Sequence, residues 1–153
     1  MERCIITEEK VTKNIIKWLQ KNEWHIVCFD FPQSGTGYIL HSDNKGDSKN
    51  KNSFIPDIVA IKGDIVLFFE NKDRFYLKDF YKVNELRNND FYIESIKRLL
   101  KNFQYKNIFY GIGLPKSDKI KEKYNKYLKF VDFIIEYDGE NIEIAYSLNN
   151  NII

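Results

Sequence analysis

The chain reads as an α/β fold in which a mixed central sheet is flanked by helices. Three observations predict it. Segments with helical apolar spacing alternate with short apolar runs of strand length. Two of those runs, Ile55 to Ile61 and Ile65 to Glu70, flank Lys62-Gly63-Asp64, a hairpin signal. And 153 residues with 43% apolar content suffice to bury the core of one domain.

The elements follow in order. Thr7 is a good cap, and Glu8-Glu9 suit the positive end of a helix. Val11, Ile15, Ile16, Trp18 and Leu19 then recur at helical spacing, which predicts a helix over 8–22. Trp24 to Phe31 reads as a strand that Pro32 ends. Gln33-Ser34-Gly35-Thr36-Gly37 is a turn or loop, and Tyr38-Ile39-Leu40 resumes extended structure. Residues 42–53 are Lys, Asn, Asp and Ser with one Gly, a composition that belongs in a surface loop. After the hairpin, 75–87 and 91–103 read as helices, broken near Asn88-Asn89-Asp90. Asn107 to Ile112 reads as a buried strand closed by Gly113-Leu114-Pro115. Ser117 caps a lysine-rich helix reaching Phe130. Val131 to Tyr137 and Ile142 to Tyr146 form a terminal hairpin, and the last residues read as frayed. No internal repeat or domain boundary interrupts the chain, so 1–153 reads as one domain.

Composition narrows the function classes. The net charge is +2, from 24 basic and 22 acidic side chains, so a polyanionic partner would need a local basic patch. The 12 Phe, 10 Tyr and 2 Trp are too many rings to leave in water, so much of that ring area must be core, with a binding surface the alternative place for some of it. Cys4 and Cys28 are far apart and make neither a zinc pattern nor a disulfide framework. His25 and His41 cannot build a histidine-rich metal site alone. No apolar run follows a basic start, and no stretch approaches a membrane span. The expectation is a cytoplasmic protein with no membrane partner.

The chemistry concentrates in the hairpin. Its fold brings Asp57, at the start of the first strand, beside Glu70 and Lys72, at the end of the second. Glu70 and Lys72 are two residues apart and leave the same face; Asn71 points to the other. Two adjacent carboxylates repel and call for a cation between them. A hard divalent ion with oxygen ligands fits, most simply Mg²⁺, with Mn²⁺ able to substitute. Such an ion clamps a scissile phosphate and acidifies water. A neighbouring lysine orients or deprotonates that water and offsets charge in the transition state. Phosphodiester hydrolysis needs that set of groups.

At these residues the sequence resembles the PD-(D/E)XK nuclease superfamily, the restriction-endonuclease-like fold. Pro56-Asp57 matches the opening element and Glu70-Asn71-Lys72 the second, within a resemblance spanning about the first two thirds of the chain. The resemblance implies that Asp57 and Glu70 bind metal, that the Asn71 carbonyl is a further ligand, and that Lys72 acts on the attacking water. It also implies a Glu from the first helix. Glu8 shares a face with Val11, Ile15 and Leu19 and is preferred to Glu9. Asn71 departs from the pattern, whose middle residue is usually apolar; its side chain should meet a polar neighbour or the rim.

Other features carry two readings each. Gln33, Ser34 and Gly35 either approach a phosphate with backbone N–H groups or form a tight turn. Lys78 and Lys82, one turn apart, either contact a DNA backbone or solvate a helix face; Asp73, Arg74 and Arg87 lie nearby. The lysines at 116, 119, 121, 123, 126 and 129 surround their helix, as solvation would have it. Lys45, Lys49 and Lys51 belong to the polar loop. Asp64 belongs to the turn, His25 and His41 read as bystanders, and Glu94, Glu136 and Glu143 as surface acids.

The functional expectation is a metal-dependent DNA endonuclease, of restriction or defence type by the resemblance. One site cuts one strand, so a homodimer or a separate recognition subunit would complete double-strand cleavage. The rival is an idle nuclease-like domain that binds DNA or a protein partner. RNA as substrate finds no RNA-binding signature in support.

Overall fold

The computed structural model describes residues 5–30, 54–90, 92–149 and 152–153. The glycine loop with Gln33, Ser34 and Gly35, the polar loop, His41 and Cys4 lie outside the described residues.

Among the described residues, α1 spans Glu8–Lys21, β1 His25–Phe29, β2 Ile58–Lys62 and β3 Ile65–Asn71. Then come α2 (Leu77–Asn88), α3 (Ile93–Leu99), β4 (Asn107–Pro115), α4 (Asp118–Tyr124), a 3₁₀ segment (Asn125–Phe130), β5 (Phe133–Tyr137) and β6 (Ile142–Ser147). The strands form one six-stranded sheet in sequential order. Pairings β1–β2, β2–β3 and β5–β6 are antiparallel, and β3–β4 and β4–β5 are parallel. The expected mixed α/β sheet is therefore present. No helix among the described residues is long and apolar enough to cross a membrane.

Two apolar layers cover the sheet. On one side Val11, Ile15 and Leu19 of α1 pack on Ile58, Ala60, Leu67, Phe69, Phe133 and Ile135. On the other, Phe80 and Val83 of α2 pack with Val59, Ile61, Val66, Phe68, Ile112 and Leu114. Strand alternation makes this division: even and odd residues of β3 go to opposite helices. Each fully buried aliphatic side chain contributes about 1.5–3 kcal/mol, so the α1 stripe alone outweighs its capping.

Local chemistry sets the ends. Thr7 Oγ1 accepts from the Lys10 amide, which starts α1. Glu23 ends it at φ 70°, with Glu23 N–H donating to the Gln20 carbonyl and Trp24 N–H to the Leu19 carbonyl. This is a Schellman closure with glutamate in the position that glycine favours. Between β2 and β3, Gly63 alone takes positive φ, the pattern of a II′ hairpin turn. The Asp64 carbonyl accepts from Lys106 and Asn107 amides, which fastens that turn to the start of β4.

Three expectations need correction. The lysine-rich helix stops at Tyr124 and continues as 3₁₀ with Tyr127 off helical geometry, because the Tyr127 and Phe130 rings turn to stack on each other. Glu136 is not a surface acid: it is 3% exposed, and the Tyr124 hydroxyl donates to it at 2.9 Å. The end of the chain is not frayed at Ile152, which is buried in the α1 layer.

The strained helix end yields a stability prediction. Left-handed backbone costs a side-chain-bearing residue about 1–2 kcal/mol, so Glu23→Gly should raise the unfolding free energy by about 1 kcal/mol in urea titration.

Candidate active site at the open end of the β2–β3 hairpin

The register Ile58↔Phe69 puts the residue before β2 beside the end of β3. Asp57 N–H donates to the Phe69 carbonyl at 2.9 Å, and the Asn71 amide donates to Asp57 Oδ2 at 2.6 Å. Asp57 shares its face with Val59 and Ile61, and Glu70 shares its face with Val66 and Phe68. Both carboxylates thus stand on the α2 side, at the end where parallel β3 and β4 terminate. Ligands of open α/β sheets gather at such carboxyl ends.

Asn71 alternates to the α1 side, continuing the row of Leu67 and Phe69. It is fully buried, and its amide donates to Thr12 Oγ1 at 3.2 Å. That explains a polar residue in the middle of the Glu-x-Lys element: the α1 stripe carries a hydroxyl at the matching height. Gly113 of β4 makes room for it, since a Cβ there would stand 2.3 Å from Asn71 Oδ1 and 2.5 Å from Ile15 Cδ1.

Lys72 sits among acids. Its Nζ is 3.5 Å from Glu70 Oε1 and 3.8 Å from Glu8 Oε1. Glu9 instead turns along α1 to Lys13 at 2.9 Å. The helix therefore directs Glu8, not Glu9, to the hairpin end. The Lys72 ammonium also lies 5.7 Å from the Tyr76 ring centre.

Asp79 was not singled out from the sequence. It lies in the first turn of α2, is 4% exposed, and its Oδ2 has no hydrogen-bond partner among the described residues. A lone acid in a helix's first turn is commonplace, and the only signal was its position beside Phe80 on the packed face of the helix.

Burial dominates the electrostatics. Desolvation raises Asp57 to about 8, and the Glu70 charge adds to it against the Asn71 amide and Lys72. Desolvation raises Glu70 to about 7, with Asp79 its strongest like-charged neighbour and Lys72 and Lys82 opposing. Burial raises Glu8 and Asp79 as well, again with Lys72 opposing. Burial alone would lower Lys72, but Glu70, Asp79, Glu8 and Asp57 outweigh it and hold the ammonium charged. Four carboxyls thus share one close lysine, a deficit of positive charge that a cation would fill. Among the described residues no three or more His, Cys, Asp and Glu side chains form a ready-made metal cage. A cation here would take few direct protein ligands and keep waters, the habit of Mg²⁺.

The other candidates divide. Lys82 is exposed but acts on Glu70 and Asp79, and its Nζ lies 5.9 Å from the Phe54 ring centre. Lys78 is exposed and is not among the charges that shift the site's acids. Arg87 is a structural residue: it binds Asp132 Oδ1 at 3.1 Å and the Lys129 carbonyl, joining α2 to the strand end. Arg74 pairs with Asp73 in solvent. His25 is exposed on β1. No protein-family model, no curated protein and no solved structure matches the chain.

Two predictions follow from this geometry. A carboxyl whose folded pKa is raised stabilises the fold below its unfolded value and loses that contribution as pH rises through the folded one. From ordinary values of 3.8 and 4.5 to raised ones near 8 and 7, stability in chelator should fall with rising pH. Asp57→Asn should flatten that decline in urea titrations at successive pH. Separately, Gly113→Ala should cost about 1–3 kcal/mol by overpacking α1 against Asn71, measured the same way.

Proposed function

We propose that the chain is a metal-dependent deoxyribonuclease of restriction-endonuclease-like fold, hydrolysing DNA phosphodiesters with Mg²⁺. One observation carries the reading: Asp57, Glu70 and Lys72 meet on one sheet face at the open end of the hairpin, with the Asn71 amide fixing Asp57. The sequential mixed sheet between helices is compatible with the fold that the resemblance implies.

Asp57 and Glu70 would hold the cation, with the Asn71 carbonyl as a further ligand. When bound, it supplies positive charge to the scissile phosphate and acidifies water. The chain's own groups do the rest. Burial first, and then Glu70 acting on Asp57 and Asp79 acting on Glu70, raises the proton affinity of both acids, and a bound cation would favour their charged forms. Lys72, kept as an ammonium by its acidic neighbours, donates hydrogen bonds to the attacking water and to the phosphoryl oxygens as charge develops. In that role it is an electrostatic stabiliser and water-orienting group. Glu8 fixes the ammonium from the α1 side. The attacking water gives up a proton to solvent as its oxygen bonds to phosphorus, the phosphorus–ester oxygen bond breaks, and the leaving oxygen takes up a proton from solvent.

Lys82 and the exposed Tyr76 ring flank the same opening and suit contact with a DNA backbone. A second copy or a separate subunit would supply recognition and the second strand cut.

The test is plasmid cleavage with Mg²⁺ or Mn²⁺. The intact chain should nick or linearise the plasmid. Lys72→Ala and Asp57→Ala should each lose at least about 100-fold, as removal of a charge-stabilising group does. No cleavage under either ion, or equal cleavage by the variants, would exclude the enzyme reading in favour of an idle binding domain.

A further inference from the structure

Asp79 is a buried acid in the first turn of α2 whose Oδ2 no described residue satisfies. Helix α2 lays Phe80 and Val83 on the same sheet face that carries Asp57 and Glu70, so Asp79 stands over that face. It is 4% exposed. Among the described residues its Oδ2 has no hydrogen-bond partner, and no lysine or arginine is in ion-pair contact with it. Leaving a carboxylate oxygen buried without a donor is costly, and a buried acid is ordinarily paired or turned to a metal. Its charge raises the proton affinity of both Glu70 and Lys72, so it acts on the same group of side chains.

The described acids do not close into a cage of three direct ligands. Mg²⁺ characteristically binds one or two carboxylates and keeps several waters. A third acid at such a centre works by accepting hydrogen bonds from those waters, and such outer partners tune affinity strongly.

We propose that Asp79 is the outer carboxylate of the cation site, accepting hydrogen bonds from the ion's water shell through Oδ2. It is a positioning residue, contributed by α2 opposite Glu8 of α1, and it closes the site between the two helices. The inference rests on the nuclease reading, in that the cation is the one Asp57 and Glu70 would hold. The competing role for an acid in a first helical turn is to complement the helix dipole. The two roles give opposite signatures. An outer carboxylate costs the metal-free fold and serves the ion, whereas a dipole partner serves the fold and is indifferent to the ion.

Mn²⁺ alone is the probe, titrated into the full chain and followed by the loss of the free-ion paramagnetic resonance signal. Asp79→Asn should bind Mn²⁺ about 10–100-fold more weakly than the intact chain. In chelator, its thermal midpoint should equal or exceed that of the intact chain. Asp57→Asn should lose Mn²⁺ binding more completely. Asp79→Ser gives the same comparison should Asp79→Asn fail to fold. Unchanged Mn²⁺ affinity in Asp79→Asn beside a loss in Asp57→Asn would overturn this inference and leave the nuclease reading standing. No Mn²⁺ binding by the intact chain would overturn both.

Discussion

The hydrogen bond from the Asn71 amide to Asp57 Oδ2, 2.6 Å long, fixes the site. It joins the residue that enters the β2–β3 hairpin to the one that leaves it. Everything at the open end then takes its place by alternation. Glu70 and Lys72 fall on the α2 side with Asp57, and Asn71 falls on the α1 side against Thr12. At the closed end, Gly63 sets the turn and the Asp64 carbonyl binds the start of β4. The hairpin is therefore held at both ends. A slip of one residue would exchange the contents of the two faces, putting Asn71 under α2 and the acids under α1.

The sheet also keeps two tasks apart. Among the described residues the α1 layer is apolar apart from the Thr12–Asn71 pair, and Gly113 lets the helix come close enough to cover it. The α2 layer is apolar through its middle but ends in charge, with Glu70, Asp57, Asp79 and Lys72 beyond Phe68 and Phe80. A rigid apolar platform ending abruptly in carboxylates is a suitable support for chemistry that needs fixed charges, because side chains locked by packing do not reorganise when the reaction demands it.

Much of this arrangement was legible in the chain itself. The period-two alternation of β3 and the Lys62-Gly63-Asp64 turn placed Glu70 and Lys72 together and turned Asn71 away. Helical spacing put Glu8, not Glu9, on the face of Val11 and Ile15. What was not legible depends on partners distant in sequence. Thr12 is 59 residues from Asn71, and nothing local marks it as a hydrogen-bond partner. Glu136 reads as an ordinary strand acid until Tyr124, from the preceding helix, donates to it. Asp79 reads as a first-turn acid until α2 is laid on the sheet. The break after Tyr124 follows from ring packing that the lysine-rich pattern does not reveal.

The near-complete burial of Asp57, Glu70 and Asp79 has an evolutionary consequence. Taking charge out of water opposes folding, and well-packed neutral replacements for buried charges are often neutral or stabilising. A lineage selected only to keep this chain folded would therefore drift toward amides and aliphatic residues at these three positions, since most of the accessible changes relieve a cost. In this chain the three buried acids are a cost to the fold rather than a support for it, in keeping with the stability cost that active sites commonly carry.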